Sequence, residues 1–510
     1  LKRTVDSNPK VSPLWVLMIW SMAVLLVGCQ PVPQFPLRPM RAQLTSDGST
    51  VLSFDTNQDK KADYWQKLDA SGRKVELTFA ADGQKPRQTV RIDELDAGPM
   101  PHFIIALDGV PYQLVKDLYD QGLFRLFYQP SRVVSTFPAM TDLAFQQLFG
   151  GAEPRAYEAQ YFDRRKNRLV EGTENYISGQ AADWCKTLDY RGSFLWDGVA
   201  YISPQPLFEH ELQEIMKIFR QTTTGTKKVY LVATAGLGTR QGREGILRYL
   251  RVIDRLCEQI VYERRGRVKI TLLADHGHNM SGRGRVTFGD LLHSGGYRLT
   301  DRLEEPNDVV TVEYGLVTYA AFYCAQPAGV ARTLLEDPVV TLACYPQADA
   351  VVVQDIDGKA LVRQAAGRYS YTVEKGDPLR LLPIVQQLRQ QGKVEPDGFI
   401  DDQALFQATI QHIYPDPLRR VWRAFHGLVA EPADLIICLK DGWVHGSSFF
   451  HAMIGGATST HGSLNQINSM TFTLTMRGQL PPAMRIEELM PALQRLEPAR
   501  IPGPHPLPWD

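Results

Sequence analysis

Asp108, Thr136, the run Asp275-His276-Gly277-His278 and His461 carry the side chains of this 510-residue chain best suited to chemistry. Each of the first three features follows a short apolar run that reads as a β-strand: His102 to Leu107, Arg132 to Val134 and Val268 to Leu273. Carboxylates and imidazoles suit Zn²⁺ or Mn²⁺. A hydroxyl beside such a metal becomes a nucleophile able to attack phosphorus. The pattern therefore predicts a divalent metal, zinc or manganese, and a phosphoester substrate.

The elements that must position these groups follow from periodicity. From residue 100 onward, apolar strands alternate with helix-period stretches, such as the stripe Leu247, Leu250, Ile253, Cys257 and Ile260. Such alternation implies a mostly parallel sheet covered by helices. Ligands bind such sheets outside the carboxyl ends of the strands, where Asp108, Thr136 and Asp275-His276 fall. Helix starts are read near Pro138 and at Phe208-Glu209-His210-Glu211.

The chain divides by composition. Residues 1–29 read as a signal peptide, 30–48 as a Pro-rich tether and 50–95 as a small β module. Residues 100–294 form the first part of an α/β core, 295–430 an inserted α+β cap, 431–498 the second core part and 499–510 a tail. Apolar residues make up 44% and charged residues 22%, as in globular proteins. The 56 basic and 56 acidic side chains balance, so no global field draws nucleic acid.

Lys2, Arg3 and Lys10 precede the apolar stretch Leu14 to Gly28, which is too short to span a bilayer. It closes in Leu26-Val27-Gly28-Cys29, which resembles the bacterial lipobox. That resemblance implies lipidation at Cys29, a membrane anchor and an extracytoplasmic place in the bacterial cell envelope. The other five cysteines show no CxxC spacing; Cys324 and Cys344 are the nearest pair, should a disulfide form. In the β module, Asp55, Asn57, Asp59 and Asp63 partly resemble a calcium loop, with Lys60 where a turn glycine is expected. A solvated hairpin loop is the alternative.

Taken together, Ile104-Ile105-Ala106-Leu107-Asp108-Gly109, Ser135-Thr136-Phe137-Pro138-Ala139-Met140-Thr141, Leu273-Ala274-Asp275-His276-Gly277, Ser459-Thr460-His461-Gly462 and the closing stretch Arg485 to Leu493 resemble the alkaline phosphatase superfamily. The resemblance is to its type I phosphodiesterase/nucleotide pyrophosphatase branch. It implies an alkaline-phosphatase-like α/β sandwich, Thr136 as nucleophile with Ser135 as fallback, and metal ligation by Asp108, Thr136, Asp275, His276 and His461. His278 is then a phosphate-binding group or general acid, or a hydrogen-bonded loop residue. His445 reads as structural.

One half of the family's two-metal site is altered. Tyr230-Leu231-Val232-Ala233-Thr234-Ala235-Gly236-Leu237-Gly238-Thr239 lines up with a Tyr…Thr-Asp-x-x-Gly-His pattern, with Ala235 and Thr239 replacing two ligands. The resemblance then implies either a one-metal phosphoester hydrolase or transferase, or a catalytically impaired relative acting as a binding or structural lipoprotein. Glu209 or His210 would be the substitute ligands for a second metal.

Overall fold

In the computed structural model, residues 38–81, 84–93, 100–170, 172, 183–192 and 199–496 are described. The signal-peptide segment, Cys29 and the tail lie outside them. Among the described residues, no helix is long and apolar enough to cross a membrane.

Six apolar segments build the central sheet. They are β1 (His102–Leu107), β2 (Ser131–Val134), β3 (Thr226–Leu231), β4 (Lys269–Ala274), β5 (Met470–Thr475) and β6 (Ala483–Arg485), in the order β3-β1-β4-β5-β2-β6. β5 pairs antiparallel with both neighbours, while β3–β1, β1–β4 and β2–β6 are parallel pairs. All six residues of β1 are buried, as expected of a strand covered on both faces. Even His102 is absorbed, its Nε2 lying 2.8 Å from Thr271 Oγ on β4. The expected α/β core with a mostly parallel sheet is what the chain forms.

Five helices matter to the site: α1 (Thr141–Phe149), α2 (Pro204–Gln221), α3 (Ala233–Glu263), α4 (Pro417–Phe425) and α5 (Ile486–Arg495). The segment α3 begins two residues beyond β3 and is interrupted at Gly242, whose φ of 60° a helix cannot continue through. Its C-terminal part buries Leu250, Ile253, Leu256 and Ile260 against the sheet.

Residues 298–401 form most of a nine-stranded sheet, largely antiparallel. Leu435–Leu439, expected in the second core part, is instead the fourth strand of this sheet, between Tyr319–Cys324 and Val340–Gln347. Its apolar run announces burial on two faces but carries no information about which sheet receives it. The cysteines Cys185, Cys257, Cys324, Cys344 and Cys438 are free thiols. Cys324 and Cys344 lie on strands separated by Leu435–Leu439, so the contemplated disulfide does not form.

The N-terminal module is a five-stranded antiparallel sheet, from Arg41–Leu44 to Gln84–Arg91. Its first strand falls inside the segment read as tether; Arg41 pairs with Ser53 and Leu44 with Thr50. The module packs on α3. Tyr64 meets Tyr262 edge-on at 5.0 Å, Gln66 Nε2 donates to Glu258 at 3.0 Å, and Lys74 forms an ion pair with Glu258.

Candidate metal centre

The turns after β1 and β4 bring three ligating side chains together. Among the described residues, Asp108, Asp275 and His276 form the one group of three or more such side chains able to share a metal ion. His276 Nε2 lies 3.3 Å from Asp275 Oδ2 and 3.7 Å from Asp108 Oδ1. All three residues are buried, Asp275 and His276 completely.

The groups around them fix these orientations. Asp275 Oδ1 accepts from the Gly109 and His276 amides, while Oδ2 has no partner and faces His276. Tyr230 Oη donates to Asp108 Oδ2 at 2.6 Å, leaving Oδ1 for the group. His276 Nδ1 lies 2.9 Å from the Gly277 carbonyl, which fixes Nδ1 as the protonated nitrogen and Nε2 as the free lone pair. Burial pushes Asp275 up to about 6 and His276 down to about 4. An imidazole held neutral is the form that binds a metal.

A fourth atom completes the set. Thr141 Oγ lies 3.3 Å from His276 Nε2 and 3.5 Å from Asp108 Oδ1. Ligands of a tetrahedral zinc at bond lengths of about 2.0–2.2 Å stand about 3.3–3.6 Å apart. The donor chemistry, the spacing and the partnerless buried Asp275 oxygen therefore fit such an ion.

The sequence placed the hydroxyl of this group at Thr136. In the structure Thr136 Oγ instead donates to the Pro138 carbonyl at 2.8 Å, and the Thr136 carbonyl accepts from Arg420 of α4 at 2.8 Å. The difference arises at the helix start. Phe137 and Pro138 form a bend, Met140 is extended, and α1 begins at Thr141, not near Pro138. Ser135 Oγ, buried, has no partner and joins Thr136 and Arg420 in lining a recess on the α4 side of the turn.

The other histidines are placed as follows. His461 stacks on His276 with ring centroids 3.8 Å apart, and its Nδ1 contacts the Ala139 carbonyl at 2.8 Å; it is not a member of the metal-ready group. His278 Nδ1 contacts Ser459 Oγ, and its Nε2 is buried without a partner. Burial holds both imidazoles below their ordinary range, His461 at about 3. His445 lies between Thr311 Oγ and the Val286 carbonyl, in a structural setting.

The stretch that the resemblance reads as an altered half-site is helical. Ala235 and Thr239 are buried in the first turns of α3. Thr234 Oγ accepts from the amide of Asp108 and donates to its carbonyl, which ties the start of α3 to the end of β1. Glu209 and His210 belong to no metal-ready group; it is Glu211 that turns inward, accepting from the Val232 and Ala233 amides at the start of α3. In the N-terminal module, Asp55, Asn57 and Asp59 accept bonds from the amides of Asp59, Lys60 and Lys61, and Asp63 from Thr56. These are the bonds of a hairpin loop, and the four residues form no metal-ready group.

Sequence reasoning quoted Thr141 and Glu211 within motifs but gave them no role, and it did not single out Arg420. The Tyr230 hydroxyl was legible as part of the Tyr…Thr pattern, but its bond to Asp108 was not.

The chain matches no protein-family model and no curated protein. Among solved structures, it is similar to phosphonoacetate hydrolase from Sinorhizobium meliloti 1021 in complex with phosphonoformate. Identity is 12% over 78% of this chain and 96% of that one, with a TM-score of 0.44. Human ectonucleotide pyrophosphatase/phosphodiesterase 5 matches at 12% identity over 77% and 94%, TM-score 0.42. An inactive form of the murine protein in complex with AMP matches at 11% identity over 77% and 94%, TM-score 0.41.

Proposed function

We propose that this chain is a metal-dependent phosphoester hydrolase or phosphoryl-group transferase of the alkaline phosphatase superfamily, working with one zinc or manganese ion. The observation that carries this reading is the buried group Asp108, Asp275 and His276, with one carboxylate oxygen left without a partner at its centre. A metal bound there would supply positive charge to a developing phosphoryl anion. The chain's own residues do the rest. Tyr230 and the Gly109 amide orient the two carboxylates, burial keeps His276 neutral, and the turn 135–141 presents the hydroxyls, Thr136 by resemblance. His278, with its unpartnered Nε2, is the candidate for holding a phosphoryl oxygen or delivering a proton.

The proposed location is the outer side of a bacterial membrane, anchored by lipid on Cys29; loss of fatty-acid labelling in Cys29→Ser tests it. A second reading, a catalytically impaired binding or structural lipoprotein, is favoured by Ala235 and Thr239 and by the complete burial of Asp275 and His276. One experiment separates the two. Metal content and bis-p-nitrophenyl phosphate turnover are measured on the full chain and on Asp275→Ala. Metal and turnover lost together in the variant support the enzyme. Metal binding without turnover supports the impaired relative for that substrate class.

A further inference from the structure

We infer that the recess on the α4 side of the turn 134–137 is a binding site for one monatomic anion, chloride being the common one; the inference stands apart from the phosphoester reading. Three buried hydrogen-bond donors without acceptors line this recess: Ser135 Oγ, Arg419 Nε and Arg420 Nε. Ser135 and Arg420 are only 2% and 5% exposed, so bulk water does not serve them. Buried donors without acceptors are costly, and three around one recess call for an acceptor there. The two N–H groups can only donate, and the hydroxyl can donate as well. A water would have to place two hydrogens of its own among these donors, whereas a monatomic anion only accepts.

Charge points the same way. Arg419, Arg420, Arg423 and Arg485 meet Asp416 and Glu487 around the recess. Glu487 pairs with Arg419 and Arg423, and Asp416 with Arg485, which Asp402 also holds from outside the lining. Arg420 has no such pairing. Its four hydrogen bonds go to the Pro415, Leu464 and Thr136 carbonyls and to Ser469 Oγ. Burial pushes its guanidinium down to about 10, with the Asp416 charge opposing. A buried cation without a bonded carboxylate is stabilised by an anion brought beside it. Size selects the anion. The cavity volume is about 20 Å³, room for one water-sized body, so a monatomic ion enters and phosphate or sulfate does not. Bound there, the ion ties Arg419 and Arg420 of α4 to Ser135, next to the Thr136 carbonyl that Arg420 already holds.

The test uses the full chain. Urea unfolding is followed as sodium chloride replaces sodium gluconate at fixed ionic strength, for wild type, Ser135→Ala and Arg419→Lys, and crystals grown in sodium bromide locate the halide by its anomalous scattering. The expected result is a bromide peak between Ser135, Arg419 and Arg420. Above the dissociation constant, each tenfold rise in chloride should lower the apparent unfolding constant of wild type about tenfold. Each variant loses one donor to a charged acceptor, so the chloride needed for the same effect should rise about tenfold or more. Arg419→Lys keeps the positive charge, which separates loss of the Nε–H from loss of charge. Equal unfolding in chloride and gluconate, or a chloride effect unchanged in both variants, overturns the assignment. So does a water in the recess in place of bromide. A bromide peak without chloride-dependent stability marks an adventitious ion only and overturns it as well. If a variant fails to fold, the bromide position and the wild-type chloride dependence decide.

Discussion

The His461 ring lies nearly parallel to the His276 ring, 3.8 Å away, while its Nδ1 is tied to the Ala139 carbonyl. Face-to-face packing aligns two imidazoles without aiming their nitrogens at one point. His461 thus buttresses His276 and holds it against the turn that carries Thr136 and Thr141. His461→Phe, which keeps a flat ring but cannot ligate, should retain zinc binding within a few-fold of wild type. Equilibrium dialysis checks this, and a loss comparable to that in Asp275→Ala would restore His461 to the ligand set.

Tyr230 Oη bonds the Asp108 oxygen that faces away from the group, at 2.6 Å. Partners of this kind orient a ligand and typically account for 10- to 100-fold in metal affinity. Tyr230→Phe should therefore weaken zinc binding by about 10- to 100-fold with the fold retained. Competition with a chromogenic chelator measures it. Unchanged affinity would mean that Asp108 needs no such support.

Gly109 follows Asp108 at φ 64°, and a Cβ there would lie 2.5 Å from His278 Cδ2. Gly109→Ala meets both a left-handed backbone and a buried ring that cannot retreat, since Gly238 already packs against its other edge. The expected cost is about 1–3 kcal/mol, read as a lower urea midpoint, with zinc affinity reduced as Asp108 shifts.

Much of this site was legible because strand ends are legible. Runs such as Ile104 to Leu107 and Val268 to Leu273 are short enough, and regular enough in their alternation with helical stretches, to read as buried strands, and the parallel pairing of β1 and β4 brings Asp108 and Asp275 to one edge. The helix start was not legible. Pro138 is a favoured first helical residue, yet it lies in a bend with Phe137, and the helix starts only after the extended Met140 (φ −130°, ψ 143°), at Thr141. Arg420 was hidden for a different reason. It lies 284 residues from the Thr136 carbonyl that it bonds, and nothing in α4's own pattern marks it as a core cation. The destination of Leu435–Leu439 was hidden because burial does not name a partner strand.

Glu258 joins the N-terminal module to the core by pairing with Lys74 and accepting from Gln66, whose side chain is fully buried. Removing one partner of a buried pair leaves the other uncompensated, at about 3–5 kcal/mol. Glu258→Ala should lower global stability by up to that amount. Limited proteolysis would show cleavage in residues 41–91 before the core is cut. A module cleaved no faster than in wild type would show that the aromatic contacts alone secure it.

His445 supplies a pH dependence separate from the metal group. Burial holds its imidazole down to about 4, with the Arg285 charge acting in the same direction; the Val286 and Val312 carbonyls oppose this. Between pH 6.5 and 4 the unfolded chain binds a proton at this position and the native chain does not. Stability at this site is therefore complete above the unfolded value and is lost as pH falls below it. Between pH 7 and 5 the loss is about 2 kcal/mol. His445→Gln cannot titrate. Whatever its absolute stability, the gap between it and wild type should shift toward the variant by about 2 kcal/mol over that interval. Urea unfolding of both proteins at pH 7 and pH 5 measures the shift. A gap independent of pH would mean that the native state also protonates His445, and that the packing between Phe288 and Phe322 opens to admit water.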